Sequence, residues 1–185
     1  LNNGQGAFQE IALLTETYAT DWSWSALIED FDNDGLSDIF ISNGIYRRPN
    51  DLDYINYLSN LNFSQYNQDQ QDILEKKLIE EMPQLEIANV LLHNQGGFKF
   101  KKHSAAAGLK NNYSNGAAYA DLDLDGDMDL VVNNINSPLE ILENTQDPSM
   151  HNFVGVKLVP STEIKNTSGA KLILFSGQQV WYKEL

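Results

Sequence analysis

Two stretches of the chain share one alternation of apolar and polar residues. Ala26-Leu27-Ile28 leads into an acidic run and Ile39-Phe40-Ile41 leaves it; Ala117-Ala118-Tyr119-Ala120 and Leu130-Val131-Val132 do the same 91 residues later. Short apolar segments closed by Asn43-Gly44 or Asn133-Asn134 predict buried strands bounded by turns, so each unit reads strand, acidic loop, strand. Val90-Leu91-Leu92 and Leu139-Glu140-Ile141-Leu142 predict a third strand of each unit. Phe98-Lys99-Phe100 predicts a fourth, matched near the start by Phe8 to Ile11. Four antiparallel strands per repeat describe a propeller blade.

Between Tyr46 and Pro83 the period changes. Asn50 can cap a short helix containing Leu52, Tyr54, Ile55 and Leu58. A second helix is predicted from about Asp69 to Met82, with Leu74, Leu78 and Met82 as its apolar stripe, Asp72 and Lys76 as an i,i+4 pair, and Pro83 as its stop. Without the 33 residues of 51–83, the loop spacing falls from 91 to 58, a plausible blade length. The expectation is a helical insertion packed over one face of a propeller.

Composition narrows the function classes. The 185 residues carry 26 acidic and 12 basic side chains, a formal charge of −14, with 42% hydrophobic residues to build a core. That charge argues against nucleic acid, which needs a basic footprint, and against an anionic membrane surface. The apolar runs are too short to cross a bilayer, so no membrane insertion is expected in this segment. There is no cysteine, which removes disulfides and thiolate chemistry. The chain begins at Leu1 and reads as a piece of a longer protein.

Nine of the 26 acids lie in two loops of the form D-x-D-x-D-G-x-x-D, residues 30–38 and 121–129. Two like charges about 5 Å apart repel by roughly 3 kcal/mol at an effective dielectric near 20, so such clustering calls for a cation. Oxygen donors at alternating positions suit Ca²⁺, which takes six to eight of them in loose geometry. The expected ligands of the first site are Asp30, Asp32, Asp34 and Asp38, with the backbone carbonyl of Leu36. Those of the second are Asp121, Asp123, Asp125 and Asp129, with the carbonyl of Asp127. Gly35 and Gly126 stand at the sixth position, where the chain turns sharply. An EF-hand would need Glu at position twelve and flanking helices; the residues there are Ile41 and Val132, inside β-type runs.

The repeat extends further: Leu1-Asn2-Asn3-Gly4-Gln5-Gly6-Ala7-Phe8 matches Leu92-His93-Asn94-Gln95-Gly96-Gly97-Phe98, at nearly equal distance before each loop. With these turns, the pattern resembles the FG-GAP or VCBS repeats, integrin-α-like propeller blades that bind Ca²⁺ between their first two strands. The tail His151-Asn152-Phe153-Val154-Gly155-Val156-Lys157-Leu158, followed by Asn166-Thr167-Ser168-Gly169-Ala170-Lys171-Leu172, resembles the opening of an ASPIC/UnbV domain, as in proteins of the cartilage-acidic-protein type. The resemblance implies the end of a blade over 1–20 and a complete blade over 21–110, with its insertion at about 47–85. It further implies the start of the next blade over 111–147 and the truncated ASPIC/UnbV-like domain over 150–185. The helical insertion is not part of the basic repeat.

Other candidates are thinner. His93, His103 and His151 lack metal-ligand spacing and read as surface or turn histidines. Tyr18, Trp22 and Trp24 read as blade core, with a sugar-stacking strip as the other reading. No catalytic pair stands out. The fold expected is mainly β, a fragment of a Ca²⁺-binding propeller with a helical insertion. The function expected is a noncatalytic segment that binds a protein or glycan. It is placed outside the cell, on its surface or in the periplasm, because extracellular Ca²⁺ can saturate a micromolar site and cytosolic Ca²⁺ generally cannot. The alternative is a polysaccharide lyase or hydrolase with its catalytic residues elsewhere or in the insertion.

Overall fold

The computed structural model describes residues 1, 4–103, 108–146, 153–160 and 167–184, and divides into two compact units, Leu1–Asn152 and Phe153–Leu185. In the first unit the elements run α1 (Ala12–Thr15), β1 (Ser23–Glu29), β2 (Asp38–Asn43), α2 (Leu52–Ser59), α3 (Gln68–Glu81), β3 (Ile87–Ala88), β4 (Val90–Asn94), β5 (Phe100–Lys102), β6 (Asn111–Asn112), β7 (Ser114–Ala120), β8 (Asp129–Asn134) and β9 (Glu140–Leu142), with a 3-10 turn at Phe63–Gln65. The second unit carries a hairpin of β10 (Lys171–Ser176) and β11 (Gln179–Glu184). Of the tail pattern, His151, Asn152 and Asn166 lie outside the described residues.

The protein is mainly β and every paired strand is antiparallel. One sheet has the order β1-β2-β4-β5 and another β7-β8-β9, while β3 and β6 form a small ladder of their own. The two larger sheets repeat each other in detail. In each, the first two strands flank an acidic loop, and the first strand shifts register near its start, between Ser23 and Ala26 or between Ser114 and Gly116. In each, a serine and an asparagine close the far end of the hairpin: Ser23 Oγ donates to Asn43 Oδ1 at 3.0 Å, and Ser114 Oγ to Asn134 Oδ1 at 2.7 Å. The sheets meet along β1 and β7 and share one core, Phe31, Phe40, Leu130 and Val132, with Leu27, Leu91, Ala117 and Leu142 packed around it.

The predicted fourth strand is displaced. Gly96 and Gly97 both take positive φ and prolong the turn, and Lys99 N–H bonds back to the Gly96 carbonyl, so pairing resumes only at Phe100. Near the start, Phe8 makes a single bridge and the chain then turns into α1. Both predicted helices form, the first entered from a neighbouring cap. Asp51 rather than Asn50 accepts the Tyr54 N–H, at 3.0 Å. Asn67 and Gln70 build a reciprocal capping box, so α3 starts one residue earlier than expected. Tyr54 Oη donates to the Leu78 carbonyl at 2.7 Å and ties the helices together. Arg47 and Arg48 hold the base of the insertion, through the Ile79 carbonyl and through Asp21 and Pro83. No helix among the described residues is long and apolar enough to cross a membrane.

Candidate metal centre

Both acidic loops follow one backbone course. The fourth and sixth residues take positive φ in each, Asn33 at 55° and Gly35 at 90°, Leu124 at 66° and Gly126 at 95°. Asn33 tolerates this region through its short polar side chain, whereas Leu124 is an unfavourable residue for it. Its presence there means that the surrounding bonds impose the turn.

The ninth-position aspartates are the fixed points. Asp38 is 2% exposed and Asp129 likewise 2%, and each spends both oxygens on backbone donors. Phe31 N–H reaches Asp38 Oδ2 at 3.3 Å and Asn94 N–H reaches Asp38 Oδ1 at 2.7 Å. Leu122 N–H reaches Asp129 Oδ2 at 3.0 Å and Asn144 N–H reaches Asp129 Oδ1 at 2.8 Å. Each carboxylate thus latches the start of its own loop to the strand beyond, and the side chain of the same asparagine bonds the carbonyl just before it, Ser37 or Met128. Burial pushes the Asp38 carboxyl up from its ordinary value, against the two N–H donors that favour its charged form.

Asp121, Asp123 and Asp125 each bring one oxygen within 4.8 Å of the others; in the first loop, Asp32, Asp34 and His93 do so. Asp30 instead accepts from Asp34 N–H at 3.1 Å and Gly35 N–H at 2.9 Å within its own turn. Its carboxyl too is pushed up, first by burial. Leu36 and Asp127 occupy the seventh position, and their N–H groups bond the fifth-position carboxylates Asp34 and Asp125 at 2.7 and 3.1 Å.

The sequence marks one participant, His93, only as a surface or turn histidine, and another, Asp127, as a ligand through its carbonyl alone. His93 Nδ1 stands 2.9 Å from Asp32 Oδ2 and 3.4 Å from Asp38 Oδ1, and its ring lies 6.2 Å from that of His103. Both histidines line a cleft of about 370 Å³ together with Phe31, Met128, Leu142 and Asn144. Only the antiparallel pairing of β4 beside β2 brings His93 to the loop, 55 residues past Asp38. Asp127 is the second. Its side chain is 5% exposed, its Oδ1 has no hydrogen-bond partner, and burial, with Asp125 and Asp129 adding, pushes its carboxyl up to about 6. Oδ1 of Asp121 is likewise buried and unpartnered. Orphaned buried carboxylate oxygens beside other carboxylates are costly without a cation, so the donor set of the second loop fits a hard, oxygen-loving metal.

The aromatic residues ahead of the first loop are largely at the surface: Tyr18 is 66% and Trp24 53% exposed, and Trp24 Nε1 donates to the Gly44 carbonyl at 2.7 Å. Comparison of the chain with protein-family models, with curated proteins and with solved structures finds no match.

Proposed function

We propose that the two loops bind Ca²⁺ and that the chain is a noncatalytic, calcium-stabilised segment of a β-propeller of the FG-GAP or VCBS kind. Its place is in a secreted or cell-surface protein that binds a protein or glycan, with the residues from 150 onward opening an ASPIC/UnbV-like domain. The observation that carries the reading is the pair of buried, unpartnered carboxylate oxygens on Asp121 and Asp127, in a loop where Asp121, Asp123 and Asp125 each bring one oxygen within 4.8 Å of the others. The matching backbone of the first loop and the repetition of two side-by-side antiparallel sheets support it. On this reading the residues act structurally. Asp38 and Asp129 close the hairpins from the ninth ligand position, and with them the other loop carboxylates hold the cation that lets them lie close together. The cation supplies the positive charge; the fixed loops then present one face of the sheets to a ligand.

The test is a thermal melt with Ca²⁺ and with chelator, for the wild type, Asp32→Ala and Asp123→Ala. Ca²⁺ is expected to raise the wild-type midpoint, each variant to lose part of the rise, and the double variant all of it. A midpoint indifferent to Ca²⁺ overturns the metal reading. A glycan array set beside polysaccharide-turnover assays on the full-length protein then separates a binder from an enzyme.

A further inference from the structure

The two acidic loops are not independent of each other. Phe31, the second residue of the first loop, is held from both sides of its peptide. Its N–H bonds Asp38 Oδ2 at 3.3 Å, and its carbonyl accepts Asn144 Nδ2 at 2.7 Å and Gln146 Nε2 at 2.9 Å, both from the segment after β9. Asn144 is the residue whose backbone N–H latches Asp129 of the second loop at 2.8 Å. One residue, through its backbone N–H and its side chain, therefore joins the closing aspartates of both loops, in the order Asp129, Asn144, Phe31, Asp38. A second strut runs from Asn33 Nδ2 to the Gly126 carbonyl at 3.4 Å. Asn94, the counterpart of Asn144 in the first sheet, bonds Ser37 and Asp38 in its own hairpin.

The loops also differ in charge. The second has five carboxylates, of which Asp127 is buried with one oxygen unpartnered; the first has four, with Leu36 at the seventh position and His93 against Asp32. Affinity in oxygen-ligand loops rises with ligand charge and with rigidity of the site.

We infer that the two loops load in a fixed order, the second first, and that a cation in the second loop raises the affinity of the first through the Asn144–Phe31 link. This rests on the reading of both loops as Ca²⁺ sites and adds their coupling. A cation held by Asp121, Asp123 and Asp125 would stiffen the turn that Asp129 already closes, and so would steady the Asn144 latch against local opening. With Asn144 fixed, the Phe31 peptide, and with it residues 30–32, is already ordered when the first loop's cation arrives. The ordering cost has been met in advance, which is positive cooperativity, and by linkage the first cation favours the second equally. A coupling of about tenfold in affinity falls within the range of such effects.

The experiment follows the Gly35 and Gly126 amide resonances through a Ca²⁺ titration. In the wild type, Gly126 is expected to saturate first. In Asp123→Ala, which disables the second loop, the Ca²⁺ concentration for half-saturation at Gly35 is expected to rise about tenfold. Asn144→Ala removes the cross-loop arm, and with it the longer 3.4 Å bond to the Met128 carbonyl, but keeps the backbone N–H on Asp129. It is expected to leave Gly126 saturation in place and to weaken Gly35 as far as Asp123→Ala does, with no further loss when the two are combined. Gln146→Ala, which removes the more peripheral arm, is expected to give a smaller change in the same direction. Equal Gly35 half-saturation in the wild type and in Asp123→Ala overturns the coupling while leaving two Ca²⁺ sites standing. A Gly35 response that precedes Gly126 overturns the loading order. Absence of any Ca²⁺-dependent shift at either glycine overturns the site assignment and the coupling together.

Discussion

Asp38 and Asp129 do different work from the other loop acids, and the difference is measurable. Each satisfies two backbone donors from a buried position, so its removal leaves N–H groups without partners whether or not a cation is present. An unsatisfied buried donor costs about 1–3 kcal/mol. Asp38→Ala is therefore expected to lower stability by about that amount in chelator, read by urea unfolding, whereas Asp32→Ala is expected to leave chelator stability nearly unchanged and to blunt only the Ca²⁺ response. Equal losses for both variants in chelator would mean that Asp38 is no latch. Asp127 gives a second residue-level prediction. Its folded-state carboxyl is pushed up to about 6 by burial and by Asp125 and Asp129, above an unfolded value near 4. Between those values the folded protein keeps a proton that the unfolded chain has lost. Its stabilising share is complete below about pH 4 and is lost as pH rises through about 6. Without Ca²⁺, the wild type is expected to lose stability relative to Asp127→Asn over that window, as read by paired melts at stepped pH.

At the scale of elements, the tightest point is Gly44, just past β2. Its φ is +132°, and a Cβ there would stand 2.7 Å from Tyr113 Cα and 2.9 Å from the Asn112 carbonyl oxygen. Backbone cannot yield as a flexible side chain would, and the position also binds Trp22 and Trp24 through its N–H and carbonyl. Gly44→Ala is expected to lower stability by about 1–3 kcal/mol, the range of overpacking, with Ca²⁺ affinity of the surviving folded fraction unchanged. The strands around it were legible because Ile39-Phe40-Ile41 and Leu130-Val131-Val132 are β-branched runs stopped by Asn, and tertiary pairing agrees with local preference there. The first cap slipped because Asn50 and Asp51 offer equivalent oxygens one residue apart; only the direction of chain entry chooses between them. His93 and the orphaned oxygen of Asp127 were illegible for a different reason. The first is a neighbour made by strand pairing, and the second depends on the burial of a side chain whose residue the sequence marks only for its carbonyl.

At the scale of the molecule, the charge of −14 separates two kinds of stabilisation. Diffuse repulsion among surface acids is screened by any salt, with a Debye length near 8 Å at physiological ionic strength. The two loops concentrate nine acids in two nine-residue stretches, with oxygens of Asp121, Asp123 and Asp125 within 4.8 Å of one another, and the unpartnered oxygens of Asp121 and Asp127 are closed to bulk counterions by burial. Screening therefore relieves the first kind and leaves much of the second. A cation bound at about 100 times its dissociation constant adds roughly 2.7 kcal/mol per site, so two filled sites add about 5 kcal/mol. At about 2–4 °C per kcal/mol for a chain of this size, the midpoint is expected to rise by roughly 10–20 °C with saturating Ca²⁺. NaCl at matched ionic strength is expected to give only a small fraction of that rise. Mg²⁺ should fall between, because it demands near-octahedral geometry and keeps its waters, which crowded carboxylates on a five-acid loop accommodate poorly. Equal midpoints in Ca²⁺ and in matched NaCl would assign the acidic clusters to ordinary surface charge.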